Sequence, residues 1–443
     1  RTSFTAAEPM SMPGLIEAAA AIREGRTSST ALVTACLERI AATEPAIQAW
    51  AHLDRDHALR QAVMADRMLA EGKPAGPLHG VPVGVKDIYD TVDFPTEYGS
   101  ELWEGYRPKR DAAVVTRLRA AGAVILGKTV STEYAYYQPN KTRNPHNPAH
   151  TPGGSSSGSA AAVAAGMVPV ALGSQTNGSV IRPAAFCGVV GYKPTHGTIP
   201  RTGAMLLSRT LDTVGVLAQT AGDAAFLVEL LAGGDGQDPD ARPERPALSA
   251  ALAQPLPQAP RLAFVRGPAW KYIEPKTDAM FVALAQQLDA GEVALGPEFD
   301  NAIERHGAVM AVDMSGNFWR DYERGRDKLS PALCQLLERG RQVPQAVYRD
   351  ALEARETLNR ALDAVFDDCD AILTPSAPGP APVFATTGNP AFCSLWTYLG
   401  TPSISLPLLR STAGMPIGVQ LVGRRGHDAH LLRVANWLST RGG

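Results

Sequence analysis

Two stretches rich in small residues are suited to set a reactive hydroxyl among free backbone amides. In the first, Thr151-Pro152-Gly153-Gly154-Ser155-Ser156-Ser157-Gly158-Ser159 runs directly into Ala160-Ala161-Ala162-Val163-Ala164-Ala165-Gly166. A Gly/Ser run alone reads as a flexible linker, but linkers do not normally open into an alanine-rich buried helix. A glycine-rich loop before a helix presents N–H groups that hold an anion or a polarised oxygen. A Walker-type phosphate loop needs a lysine after its last glycine, and Ser159 follows Gly158, so nucleotide binding is set aside. In the second stretch, Gly173-Ser174-Gln175-Thr176-Asn177-Gly178-Ser179-Val180-Ile181-Arg182-Pro183-Ala184, small residues before Ser179 allow tight turns. Consecutive amides from Thr176 to Ser179 can then converge on one oxygen, as an oxyanion hole requires. Nothing local offers Ser179 a histidine base, and Arg182 reads as a buried-pair or ligand-anchor residue.

A competing arrangement centres on Ser156, because Gly154 to Gly158 satisfies GxSxG, the pattern of a nucleophile elbow. That elbow asks for a strand just before the serine, and Asn147-Pro148-Ala149-His150-Thr151-Pro152 makes a poor one. Its distal histidine would be His306, His427 or His430, none of which the surrounding sequence singles out. Lysines are the other candidate proton carriers: Lys86 and Lys128 both end strand-like segments, and the residues alone do not choose between them.

These groups need elements to hold them. Ser28 and Ser29 precede a helix with Leu32, Cys36, Leu37 and Ile40 on one face, and residues 54–71 repeat that character. Gly80-Val81-Pro82-Val83-Gly84-Val85-Lys86-Asp87 changes period and reads as a strand buried on both sides. A capped helix is expected from Asp111 to Gly122, then a strand over 123–126, an alternation that signals an α/β fold. Further strands are expected at 168–172, 188–192, 261–265, 371–374, 403–406 and 418–422, with helices over 221–232 and several amphipathic ones over 276–368. Residues 233–260, rich in Gly, Pro and Asp, read as a surface excursion or joint. Because the strands after 370 have no obvious partners of their own, one mixed sheet completed from both ends of the chain is expected, residues 1–443 forming a single domain.

Composition narrows the function classes. In 443 residues, 42 Lys+Arg balance 44 Asp+Glu, a net charge of -2, with no basic block; this argues against nucleic acid or an anionic membrane as partner. The five cysteines, Cys36, Cys187, Cys334, Cys369 and Cys393, form no CxxC pair, which suits a reducing compartment and argues against a zinc ribbon. The longest small and apolar run is too short for a membrane crossing and holds Pro169. A soluble, cytoplasmic protein is expected, although the chain opens at Arg1 rather than Met, so earlier residues are not excluded.

The lysine strand, the GGSSSGS loop and the QTNGSVIRPA segment together resemble the amidase signature family, serine hydrolases with a Ser-Ser-Lys arrangement. Flanking pieces agree: Leu78 to Asp87, Gly122 to Lys128 with Thr132 and Glu133, Gly191 to Thr195, Leu211 to Gly215 and Gly414 to Gln420. The likeness spans nearly the whole chain and is weakest over 235–370. It implies a mixed sheet flanked by helices on both faces, Lys86 as catalytic lysine, Ser155 as the middle serine after a cis peptide bond, and Ser179 as nucleophile. The amides of Thr176, Asn177, Gly178 and Ser179 become the oxyanion donors. No cofactor and no metal are implied. The family commonly has two glycines before the nucleophile, where this chain has Asn177-Gly178, a residue pair that still tolerates the turn.

Burial against Val83 and Val85 would keep Lys86 neutral and able to act as a base. The implied activity is C–N hydrolysis of small or aryl amides, with carbamates (a urethanase activity) and esters open. Arg182 resembles an arginine that holds a substrate carboxylate in malonamate-type members, and Tyr134, Tyr136, Tyr137 and Gln175 are further candidates for substrate contact. Met310, Met314, Phe318, Trp319 and Tyr322 either cap the pocket or pack a helical layer. A glutamine amidase working with partner subunits, a homodimer and a non-catalytic interaction protein on the same fold are the alternatives carried forward.

Overall fold

The computed structural model describes residues 12–440. Its centre is one sheet of eleven strands: β1 (Trp50–Leu53), β2 (Pro82–Lys86), β3 (Val124–Thr129), β4 (Val170–Gln175), β5 (Val190–Lys193), β6 (Thr213–Ala218), β7 (Leu262–Val265), β8 (Gly291–Val293), β9 (Ala371–Pro375), β10 (Ser403–Arg410) and β11 (Pro416–Val422). Their order across the sheet is β1-β3-β2-β4-β6-β5-β10-β11-β9-β7-β8. β2 runs parallel to β3 and β4, and β7 parallel to β8 and β9, while the middle strands pair antiparallel. The sheet is therefore mixed, and the C-terminal strands enter it through β10, whose Ser403, Ile404 and Ser405 face Lys193, Tyr192 and Gly191 of β5.

The period-two rule explains why the middle strands are apolar throughout. Val170, Leu172, Val216 and Ala218 belong to one buried cluster, whereas the alternating Ala171 and Leu217 belong to the other. Helices cover each cluster: Ser29–Ile47 and Ser157–Ala164 pack in the second, and Ala221–Leu231 and Ala302–Gly325 in the first. With both faces occupied, β2 is buried along its whole length and carries Lys86 into the interior.

Several expected elements shift in detail. The helix expected from Asp111 is Ala113–Ala120, with Ala112 at its N-cap and no side-chain cap; Asp111 instead accepts from the Val92 amide and from Arg119. The 233–260 excursion contains a short helix, Leu248–Leu252, and is anchored: Arg201 reaches Asp238 at 2.8 Å and Asp240 at 2.6 Å. All five cysteines are free and buried. Among the described residues no helix is long and apolar enough to cross a membrane.

Candidate active site

Lys86 ends β2 with none of its surface exposed. Its Nζ lies 2.7 Å from Ser155 Oγ and 2.9 Å from Ser174 Oγ. Burial drives its pKa well below that of a free lysine, opposed only in part by the charge of Asp212. Lys128, its equal in the sequence, has a different environment: Nζ pairs with Asp87 at 2.9 Å and donates to Pro95 O and Thr96 Oγ1. Burial lowers the Lys128 pKa too, but the Asp87 carboxylate opposes that shift by direct contact and favours the ammonium, whereas the contacts of Lys86 are hydroxyls.

The loop that carries Ser155 contains a cis peptide bond between Gly154 and Ser155 and enters the helix Ser157–Ala164. Gly158 makes that entry fit, since a Cβ there would lie 2.2 Å from Ala49 O and 2.3 Å from Val130 N. Ser156 is fully buried and turned to Ser174, accepting from its amide at 3.2 Å and donating to its carbonyl at 3.3 Å. The elbow reading of Ser156 finds no histidine here. His306 Nε2 sits 2.9 Å from Thr176 O, and His427 and His430 line a separate cavity beside Asp370 and Arg424.

Ser179 lies just beyond β4, in a loop whose other groups are pinned. The carbonyls of Thr176, Asn177 and Gly178 are engaged by His306, by Thr397 Oγ1 at 2.6 Å and by the Arg182 amide at 3.0 Å. Among the described residues the amides of Asn177, Gly178 and Ser179 have no protein acceptor, the arrangement an oxyanion hole needs. Thr176 Oγ1 donates to Asp212 at 2.7 Å, and the second Asp212 oxygen accepts from the Leu207 and Ser208 amides. Burial raises the Asp212 pKa to about 6 against those hydrogen bonds. Burial likewise lowers His306 to about 4, leaving it neutral at ordinary pH.

The substrate-contact candidates divide. Tyr136 and Tyr137 line a small chamber with Asn177, Ser179, Arg182 and Met310. Arg182 is 2 % exposed; Nη2 donates to Gly154 O at 2.8 Å and to Thr387 Oγ1, while Nε and Nη1 have no partner. Tyr134 is turned away from the chamber, donating to Asp321 and packing edge-on against Phe318. Gln175 is also unavailable to a ligand, because its Oε1 accepts from the Val180 and Ile181 amides and its Nε2 donates to Thr397 Oγ1. Of the helical residues, Met310 reaches the chamber, while Trp319 stacks on Tyr322 in the packing layer.

Sequence reasoning missed Asp212, Ser174 and the pair Ser394 and Thr397. Ser394 Oγ donates to Asn177 Oδ1 at 2.6 Å. Ser394 and Thr397 stand three residues apart in the otherwise apolar helix Ala391–Leu399, a polar stripe that marks an inward-facing contact.

A larger cavity of about 750 Å³, lined by Asp87, Glu97, Glu101, Glu104 and Glu133, lies apart from the chamber. His52, Asp87 and Glu97 there have metal-ligand spacing, but Lys128 already neutralises Asp87, and Glu97 accepts from the Gly105 amide and contacts His52.

Comparison with known proteins agrees with this architecture. The Amidase family model matches residues 31–432. A glutamyl-tRNA(Gln) amidotransferase subunit of Chloroflexus aurantiacus is 35% identical over 467 aligned positions, covering 95% of this chain and 94% of that protein. Peptide amidase from Stenotrophomonas maltophilia superposes with a TM-score of 0.84 at 29% identity, over 98% of both chains. A structure reported as a vestigial protein complex revealing the origins of an s-triazine catabolic enzyme gives 0.91 at 29% identity, over 97% of this chain and 99% of that one. Fold and site thus define an enzyme of the C–N hydrolase class. The chain belongs to the amidase signature family.

Proposed function

We propose that this protein hydrolyses small amides through an acyl-enzyme on Ser179, with Lys86 and Ser155 as its proton relay. The observation that carries the reading is a fully buried lysine whose partners are hydroxyls, 2.7 Å from Ser155, with no carboxylate among the described residues in contact with it. In the neutral form, Lys86 takes the Ser155 hydroxyl proton while Ser155 takes that of Ser179, and Ser179 Oγ bonds to the carbonyl carbon. The amides of Thr176 to Ser179 hold the resulting oxyanion. On collapse the C–N bond breaks, and the relay returns the proton to the departing nitrogen, which could not otherwise leave as an amide anion. Water then repeats the sequence, giving a carboxylic acid and regenerating Ser179. Carbamates and esters present the same electrophilic carbonyl and belong to the proposed range; a carbamate would release an amine and a carbonate monoester. Arg182, with two unpartnered nitrogens, Nε and Nη1, in a residue that lines the chamber, offers N–H groups to an oxygen of the acyl part, a carboxylate among them, while bracing Gly154.

A second reading, a glutamine amidase that works with partner subunits, is supported by the likeness to the Chloroflexus amidotransferase protein. The two separate by experiment. The purified chain alone is given anilides, primary amides, glutamine, aryl carbamates and aryl esters, and products are followed by mass spectrometry. Free-standing hydrolysis predicts acid paired with aniline from the anilides or with ammonia from the primary amides. Release confined to glutamine would favour the second reading, and no release from any member would contradict both.

A further inference from the structure

The chamber at Ser179 continues outward into a second of about 270 Å³, the two sharing Tyr136, Tyr137, Asn177 and Met310. Its wall is apolar and aromatic, with Tyr272, Ile303 and Pro390 among the lining residues. Most of its polar groups are committed to the protein: Asn177 to Tyr137 and Ser394, Asn389 to the Ala391 amide, and His306 to Thr176. Among the described residues the Tyr136 and Tyr272 hydroxyls are uncommitted, and the one charged group left without a partner is Arg339, on the last turn of the helix Pro331–Gln342.

The setting of Arg339 differs from that of its neighbours. Arg326 pairs with Glu338 at 2.8 Å, and the Arg341 guanidinium lies 4.4 Å from the centre of the Trp319 ring. Arg339 has no carboxylate within ion-pairing distance among the described residues, and no acidic side chain lines the chamber at all. Arg339 is solvent-exposed and lines the chamber together with Tyr136 and Tyr137, the two tyrosines that also line the chamber at Ser179. A cation in the last turn of a helix also favours the helix dipole, but Arg341 serves that end equally without entering the chamber. Against a net charge of -2 for the whole chain, the one charged side chain lining this chamber among the described residues is a cation. An apolar channel with one unpaired guanidinium is a matched receptor for an apolar substituent that ends in an anion.

We propose that the outer chamber is a specificity site for substrates whose amide bears, across an apolar or aromatic spacer, a carboxylate or similar anion, and that Arg339 binds that anion. The inference rests on the hydrolase reading above and narrows its substrate class.

The test compares ω-carboxyacyl 4-nitroanilides and 4-carboxyanilides of graded length with uncharged isosteres, in wild type, Arg339→Gln and Arg339→Lys. The expected result is a roughly tenfold preference in kcat/KM for one or more anionic members, carried mainly by KM and weakened by added salt. The preference should collapse toward unity in Arg339→Gln and recover in part in Arg339→Lys. Equal kcat/KM for charged and neutral partners in wild type, or a preference that survives Arg339→Gln, would overturn the proposal. Calorimetric binding of a monoanilide of glutaric acid against its pentanoyl isostere, to Ser179→Ala with and without Arg339→Gln, reads the same preference with no bond cleaved. A charge preference in binding without turnover of any amide would therefore retain the anion site and reject the hydrolase reading alone.

Discussion

A lysine acts as a base only when its amine is neutral, and the position of Lys86 decides that state by burial rather than by a partner. The acid limb of kcat/KM should therefore follow deprotonation of Lys86, with activity lost as pH falls and the ammonium form returns. Asp212 opposes burial by favouring that ammonium. In Asp212→Asn this opposition is removed, the Lys86 pKa drops further, and the acid limb should move to lower pH, while kcat falls because Thr176 loses its carboxylate anchor. A pH–rate profile with an unmoved limb would show that Asp212 is only a structural brace. At this scale the sequence is half legible. Ser179 and the amides from Thr176 onward stand out by small-residue spacing, whereas Ser155 is marked only by the family resemblance, and Lys86 and Lys128 end similar strands. What separates them is Asp87, which turns to Lys128 and not to its own neighbour Lys86, a side-chain direction that periodicity alone does not give.

Elements keep the reactive groups in place through buried side-chain braces. Gln175, at the end of β4, ties the start of the helix Ile181–Cys187 to Thr397 of the helix Ala391–Leu399. Gln175→Leu preserves bulk and strands the Val180 and Ile181 amides, a cost of about 1–3 kcal/mol for each buried group left unpaired. We expect a lowered thermal midpoint together with a fall in kcat that exceeds any change in KM, because the donors bind the oxyanion and not the ground state. An unchanged kcat would mean that the hole does not depend on this brace. Elements rich in branched residues, such as β2 and β7, are readable from sequence. β1 is not: it spans four residues, includes His52, and owes its strand form to an irregular antiparallel pairing with β3. β8 has only Gly291–Val293 and is likewise defined by its neighbour.

Across the whole molecule, the sheet joins segments hundreds of residues apart, and that union holds the chemistry on rigid supports. The strands after residue 370 look unpartnered in sequence because their partners are distant: β10 needs β5, and β9 needs β11 and β7. The chain around 233–260 looks like a joint for the converse reason, since it is tied by ion pairs of Asp238 and Asp240 to Arg201 and by the buried Leu248 of its one short helix, too few apolar residues to show a period. The central claim is that this scaffold presents Ser179 for covalent attack with Lys86 and Ser155 carrying the proton. Its most direct test is time-resolved intact-mass spectrometry of wild type, Ser179→Ala, Ser155→Ala and Lys86→Ala during turnover of an activated aryl ester or carbamate. The account predicts an adduct of acyl mass in wild type, none in Ser179→Ala, and formation slowed by roughly 10²–10⁴ in the two relay variants. An adduct of undiminished yield in Ser179→Ala, mapping to Ser156 or another residue, would contradict it.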